Sequence, residues 1–370
     1  MKEGKQKIEL FINSLQSGGA ERQLSILANF LAEEGYQVTL STISAAKDHY
    51  ELASTVNRVR ICKTNTSYLG KIIRVFIHFQ FTSCDCLIAF CQRNCYYALR
   101  SLSWRRKKPK IICGERNYLA SPGKYEDLLF TRYYPDLVSS VVCNSFSQAN
   151  YIVQKQPCLK EKVCTIINYT NVFLYSPDYK LPDKNLLRIL VLARFQKQKN
   201  CIRFVQAISE LRKKTQKAFC IDWYGGHSFQ NSAARSYFEN VVELIHKEGT
   251  GDVLRIHDPV RDVPGLINQF DAVCLPSLYE GFSNAIAEGI ASGKPMLVSN
   301  VSDNSVMVHD GENGFLFDPT NIESIVRVLD RFLHLDESQM ILMGKKSREI
   351  AEKLFNKQAF IDAYIRLIEE

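Results

Sequence analysis

Short apolar runs alternate with helix-length amphipathic patterns along this chain. After a polar stretch near the middle, the alternation starts again. In the first half the strand-like runs are Ile8–Ser14, Gln37–Ile43, Val59–Cys62, Cys86–Phe90, Lys110–Cys113, Val138–Cys143 and Val163–Ile167. Helical patterns lie between them at Ala20–Glu34, Leu69–Phe81, Asn94–Ser103 and Phe146–Gln154. Strands separated by helices predict parallel sheets covered on both faces. Asn168–Asn185, polar and carrying Pro177 and Pro182, reads as a linker. The pattern resumes with strands at Leu187–Ala193, Ala218–Tyr224, Val253–Ile256, Asp271–Leu275, Met296–Val298 and Gly314–Phe317, and helices at Cys201–Lys214, Ser232–Lys247 and Val263–Gln269. From Asn321 the chain is helical. At 370 residues it exceeds one typical domain. The expected fold class is α/β, with doubly wound Rossmann-like domains at 1–180 and 181–354. A separate terminal helix, 355–370, is expected to return to the first domain. In such sheets ligands bind at the carboxyl ends of the strands, here in a cleft between the domains.

Composition narrows the class. Hydrophobic residues make up 46% and charged residues 23%, as in ordinary globular proteins. No run of about 20 apolar residues is present, so a spanning helix is not expected. The first residues lack the apolar core of a signal peptide, so the cytoplasm is the expected compartment. Of the 12 cysteines many fall within strand-like runs and none has zinc-site spacing, so reduced core thiols are expected. Net charge is +8, unevenly spread: residues 51–110 hold 12 Lys and Arg against 2 Asp and Glu. Basic charge beside the apolar stretch Tyr68–Phe81 and the run Trp104–Lys110 suits an anionic membrane surface. The competing arrangement is a solvated turn at 104–110 and a buried helix at 68–81. Nothing resembling a nucleic-acid recognition motif accompanies the charge, so no nucleic acid partner is expected.

Between Leu275 and Pro295 a strand end, a Pro-Ser turn, Glu280, Gly281-Phe282 and a small-residue helix beginning near Ser283 follow one another. A strand end, a flexible glycine and a helix N-terminus make an anion site, with N–H groups of Gly281, Phe282 and Ser283 as donors. Carboxylates at Glu280 and Glu288 add acceptors for hydroxyls; a bidentate carboxylate suits a vicinal diol. Ala193–Asn200 follows a strand and carries Arg194 and Lys199, which can hold a diphosphate, Arg194 as a fork and Lys199 as a point charge. Fixed cations there stabilise the charge that develops on a leaving phosphate. Lys197 is expected to face solvent. Ser14–Arg22 opens the first helix with Gly18 and Gly19, whose small size permits close backbone approach. The glycine spacing does not fit a nicotinamide-dinucleotide fingerprint.

Together these segments resemble retaining glycosyltransferases of family 4, which have the GT-B fold. The Glu280–Glu288 string, the Arg194/Lys199 loop and Gly18-Gly19-Ala-Glu-Arg22 carry the resemblance, the last in the form found in enzymes that build bacterial surface glycans. The resemblance implies an acceptor-side first domain and a donor-binding second domain. It implies a sugar passed from a UDP- or GDP-sugar to a glycan or polyprenyl-linked acceptor, by an enzyme peripheral on the inner face of the plasma membrane. It places Glu280 on the transferred sugar and Glu288 on the ribose, with Asn284, Gly225 of Trp223-Tyr-Gly-Gly and Val260 in the donor set. Where related enzymes often have a histidine this chain has Arg116, in Cys113–Pro122. It would hold phosphate or acceptor, or pair structurally with Glu115. His309–Pro319 is read as structural. There is no Asp-x-Asp triplet. The cations and helix dipole can neutralise charge, so neither metal nor cofactor is expected. A sugar-nucleotide epimerase of the same fold and a non-catalytic sugar-nucleotide-binding partner subunit are the competing classes. A glycogen-phosphorylase-like enzyme would need a pyridoxal lysine and a longer chain.

Overall fold

The computed structural model describes residues 5–16, 18–116, 125–179, 185–226 and 232–370. The chain forms two compact units, Met1–Tyr169 with Lys357–Glu370, and Thr170–Asn356.

The first unit is built on seven strands: β1 (Lys7–Ile12), β2 (Gln37–Thr42), β3 (Asn57–Arg60), β4 (Cys86–Phe90), β5 (Lys110–Glu115), β6 (Ser140–Cys143) and β7 (Val163–Thr165). All pair in parallel in the order β3-β2-β1-β4-β5-β6-β7. The reversal beside β1 is that of a doubly wound sheet. Side chains alternate along β1. Ile8, Leu10 and Ile12 join one core face with Leu27, Leu31 and Phe90. Phe11 joins the other with Phe79, Leu99 and Tyr134. The helix Lys357–Glu369 closes the first of these faces, contributing Phe360, Ile361, Tyr364 and Ile368.

Glu9, on the Phe11 side of β1, is buried. It accepts hydrogen bonds from Ser41 at 2.6 Å and Thr82 at 2.5 Å, and pairs with His78 at 2.5 Å. Burial alone would raise the Glu9 carboxyl. The His78 contact and the two hydroxyls outweigh it and hold the group below its ordinary value. This cluster ties the helix Tyr68–Phe81 to the sheet, beside an edge-on Phe11–Phe79 contact with centroids 4.9 Å apart. Ser67 caps that helix, accepting from the Gly70 N–H. Only Val75 and Phe79 along it are buried. The buried-helix arrangement for 68–81 is therefore corrected: the helix is docked by one narrow edge and leaves most of its apolar side chains exposed.

The second unit has six strands: β8 (Leu187–Leu192), β9 (Phe219–Tyr224), β10 (Leu254–His257), β11 (Ala272–Leu275), β12 (Met296–Ser299) and β13 (Gly314–Phe317). They pair in parallel in the order β10-β9-β8-β11-β12-β13. The reversal falls between β8 and β11, so the loops after these two strands emerge side by side. Helices Cys201–Lys214, Ser232–Lys247, Asn284–Ala291, Ile322–Leu333 and Glu337–Leu354 cover the sheet. A capping box, Asp336 with Gln339, starts the last of them.

The expected boundary at 180/181 differs from the division at Tyr169/Thr170. The prolines suggested the later point, but 170–179 is already held by the second unit. Arg348 donates to the carbonyls of Val172 and Tyr175, Asn268 to that of Ser176 and Lys294 to that of Asp178. Residues 180–184 of the expected linker lie outside the described residues. A helical segment, Glu126–Leu128 continuing through Leu129–Tyr133 to Tyr134–Leu137, has no counterpart in the expectations. Of the 12 free cysteines eight are buried, three are half-buried and Cys158 is exposed. Among the described residues no helix is long and apolar enough to cross a membrane.

Candidate active site

The second unit brings two of the expected loops together. The chain leaves β8 at Ala193, whose N–H donates to the Tyr224 carbonyl and whose carbonyl accepts from the Trp223 indole at 2.7 Å. Phe195 stacks on Trp223 with centroids 5.3 Å apart, so the loop is pinned while Arg194 projects to solvent. Gly225 lies against the same turn. A Cβ there would meet the Ala193 carbonyl oxygen at 1.9 Å, so only glycine fits. The loop ends at Asn200, left-handed at φ 56°, which precedes the helix Cys201–Lys214 and donates its side-chain amide to the Pro319 carbonyl at 2.7 Å.

The loop after β11 is tied to it by two hydrogen bonds. The Leu278 N–H donates to the Gln198 carbonyl at 2.8 Å, and the Gln198 amide donates to the Tyr279 carbonyl at 2.9 Å. This sets Lys199 Nζ 2.5 Å from Glu280 Oε1. Glu280 is 6% exposed, and its N–H donates to the Ser302 hydroxyl at 3.2 Å. Ser302, at φ 50°, comes from the turn after β12. Ser283 then caps the helix Asn284–Ala291, accepting from the Ile286 N–H. The helix thus starts where its sequence predicts. Phe282 is buried edge-on to Phe355, with centroids 6.1 Å apart. Gly281 and Asn284 are half-buried, and Glu288 lies buried on the second turn. Gly289 lets that helix close on the sheet, since a Cβ there would meet Met296 Sδ at 2.7 Å.

Such a constellation can bind an anion and hydroxyls together. Arg194 is exposed and, among the described residues, has no carboxylate partner. Lys199 and Glu280 neutralise one another in a nearly buried setting. A phosphate arriving there would find a cation and a helix N-terminus already in position. Lys197 is exposed, as expected of a solvent-facing residue. Val260 is 39% exposed in the loop after β10. Gln198, Tyr279 and Ser302 were not anticipated. Only Ser302's unusual backbone marks it, and that is invisible in sequence. His309–Pro319 is a turn and strand organised by Asn313, which accepts from the His309 N–H and donates to the Met307 carbonyl.

The expected residues of the first unit have a different character. Gly18, extended at φ −176°, precedes the helix Gly19–Glu33. Its N–H and carbonyl are both bonded to the Tyr50 hydroxyl, at 3.2 and 2.9 Å. Gly19 is exposed at the first helical position. Of the two alternatives for Arg116, the structural pair with Glu115 does not form. The Arg116 guanidinium lies 3.8 Å from the Phe90 ring centroid and donates to Asn168 Oδ1 at 3.2 Å and to the Tyr364 hydroxyl at 2.5 Å. Those contacts hold it in the core between β5 and the terminal helix, where it acts as a brace. Glu115 instead accepts from Tyr134, and burial pushes its carboxyl up to about 7. Residues 117–122 of that motif, Ser17 and His227 lie outside the described residues.

Comparison with known proteins agrees with this architecture. Residues 177–349 match the family described as Glycosyl transferases group 1. The chain is similar to the Escherichia coli UDP-Gal:alpha-D-GlcNAc-diphosphoundecaprenol alpha-1,3-galactosyltransferase, 34% identical over 95 residues, or 26% of this chain and 24% of that enzyme. The match thus spans about a quarter of that enzyme's length. An uncharacterized glycosyltransferase of Haemophilus influenzae is 24% identical over 354 residues, 94% of this chain and 95% of the relative. Among solved structures, Anabaena Alr3699/HepE in complex with UDP-glucose has a TM-score of 0.80 at 16% identity, covering 98% and 99% of the two chains. The fold is GT-B.

Proposed function

We propose that the chain is a retaining, family 4 type glycosyltransferase. It moves a hexose-type sugar from a UDP- or GDP-sugar to a hydroxyl of a glycan or polyprenyl-linked acceptor in surface polysaccharide synthesis. The observation that carries this reading is the Lys199–Glu280 pair beside the Ser283-capped helix, with Arg194 free at the surface of the same loop. Diphosphate would draw on Arg194, Lys199 and the N–H groups of Gly281 to Ser283. Glu280 would meet the sugar and Glu288 the ribose, with Gly225, Val260 and Asn284 around the nucleotide. The Escherichia coli relative is named for a UDP-linked donor and a diphosphoundecaprenol acceptor, and HepE is described with UDP-glucose, which supports that substrate class.

In the reaction the bond between the sugar's anomeric carbon and the diphosphate oxygen breaks on the same face at which the acceptor oxygen bonds. The acceptor's proton leaves to the departing phosphate, so no carboxylate nucleophile is required. Arg194 and Lys199 neutralise the leaving group as its charge grows. The same cations make metal-independent turnover our reading. We place the enzyme at the cytoplasmic membrane face, because the exposed apolar helix 68–81 lies in the basic segment 51–110.

The test is a panel of nucleotide sugars. The expected result is a thermal shift with one UDP- or GDP-sugar and, with a suitable acceptor, release of the nucleoside diphosphate with retained anomeric configuration, undiminished in EDTA. Donor binding without transfer to any acceptor would favour a non-catalytic subunit. Epimerisation of the donor alone would favour the epimerase.

A further inference from the structure

The basic segment of the first unit sorts into two kinds of cation. Arg58 and Arg60 are spent on Asp48, at 2.9 and 2.6 Å. Lys71 and Arg93 have no carboxylate partner and no side-chain hydrogen bond among the described residues. These two line one cleft of about 270 Å³ at the carboxyl edge of the sheet. Asn13, just past β1, and Ile43, just past β2, line it together with residues of the helices Tyr68–Phe81 and Gln92–Leu102. Tyr68 and Tyr97 also line it, with hydroxyls 3.4 Å apart. Two unpaired cations invite a phosphate or diphosphate. Paired phenols offer ring faces and hydroxyls to a pyranose, which presents both apolar C–H and polar O–H groups. The volume lies just below the usual range for small-molecule sites, enough for a head group but not for a long glycan.

Ile72 belongs both to this cleft and to an apolar strip. Along the helix Leu69, Ile73, Phe76, Ile77 and Phe81 are all exposed, Leu69 by 66% and Phe81 by 82%. From Leu69 to Phe81 the strip runs about 18 Å at the helical rise. The helix contains no acidic residue, and its one histidine is turned inward onto Glu9. Glu9, Phe11 and Phe79 hold the helix on the sheet, so the strip is a fixed surface of a docked element. Exposed apolar strips of this kind mark binding surfaces.

We infer that this cleft and strip together bind a lipid phosphate. The phosphate and first sugar lie between Lys71 and Arg93 at Tyr68 and Tyr97, and the apolar chain lies along Leu69 to Phe81. The assignment deepens the transferase reading by naming the head-and-chain acceptor, and it rests on that reading for its role. Neither half explains the other alone: an anionic bilayer would not need a cleft, and a soluble phosphosugar would not need the strip.

The test uses the purified full chain with farnesyl diphosphate as probe, and with inorganic diphosphate, farnesol and phosphatidylglycerol vesicles as controls. Farnesyl diphosphate should bind at least about tenfold more tightly than either of its halves. Lys71→Ala/Arg93→Ala should weaken it by roughly tenfold or more. Ile73→Ser/Phe76→Ser, at exposed positions, should weaken the farnesyl probe but leave inorganic diphosphate unchanged. Equal binding of inorganic diphosphate and the farnesyl probe would overturn the lipid assignment. So would unchanged farnesyl diphosphate binding in both variants, or vesicles that displace the probe completely. Circular dichroism checks that each variant is folded. A nucleotide-sugar thermal shift, run in parallel, reports on the donor half. Its absence in the wild type would count against the transferase reading while leaving the lipid-binding result standing.

Discussion

Lys199 and Glu280, 81 positions apart in sequence, meet at 2.5 Å where the loops after β8 and β11 run side by side. Each is largely shielded from water, so the pair is more than a surface contact. Removing one partner leaves a nearly buried charge, a change that costs about 3–5 kcal/mol at fully buried pairs and less here, where Lys199 keeps some solvent. Lys199→Met should therefore lower stability more than Lys199→Met/Glu280→Gln does, as read by urea midpoints. Either single variant should also reduce kcat/KM by about a hundredfold or more. A single variant with full transfer activity would remove the pair from the mechanism.

Gly225 gives a sharper steric prediction. An added methyl would meet the Ala193 carbonyl oxygen at 1.9 Å, and that oxygen is already engaged by the Trp223 indole. Relief would require the loop carrying Arg194 to shift. Gly225→Ala should cost about 1–3 kcal/mol and raise KM for the donor. Unchanged stability together with unchanged KM would contradict the packing described.

Glu115 should impose a pH slope on the first unit. Its folded value, about 7, lies above the 4.5 of an unconstrained glutamate. Between those values the folded state binds more protons than the unfolded one, so this group makes stability fall as pH rises from 4.5 to 7. Glu115→Gln should flatten that fall. Glu9 acts with the opposite sign: its lowered folded value contributes stability above 4.5 that is lost as pH drops further. Denaturant midpoints across pH for Glu115→Gln and Glu9→Gln would separate these windows.

Arg116 should behave as a brace rather than a reacting group. Tyr364→Phe removes one hydrogen bond to its guanidinium and should cost about 1.5–3 kcal/mol, with kcat essentially unchanged. Loss of turnover in a variant that retains normal stability would give Arg116 a direct part in the chemistry.

The sequence carried most of the frame. Apolar runs bounded by turn residues located the thirteen strands of the described residues, and Cys201–Lys214 and Ser232–Lys247 agree end to end with the structure. The segment Glu126–Leu137 escaped because it changes helical type within a few residues and contains Pro135. The site was legible as separate loops, since glycines, a cap and paired charges each leave a local signature. Their meeting was not, because Gln198 with Tyr279, Ser302 with Glu280 and Tyr50 with Gly18 are all non-local contacts. The helix 68–81 shows the same limit. Periodicity shows that it has an apolar face, but only the neighbouring elements decide how much of that face is covered.

The terminal helix has a consequence for how the molecule is made. Phe360, Ile361, Tyr364 and Ile368 complete a core whose other buried members lie before residue 170. On the ribosome, the 187 residues of the second unit must emerge between the two parts. At typical synthesis rates that is a wait of roughly ten to forty seconds. Throughout it the first unit carries an uncovered apolar face. The nascent chain is therefore a client for chaperones over that interval, and slow codons within 170–356 would prolong its exposure to aggregation.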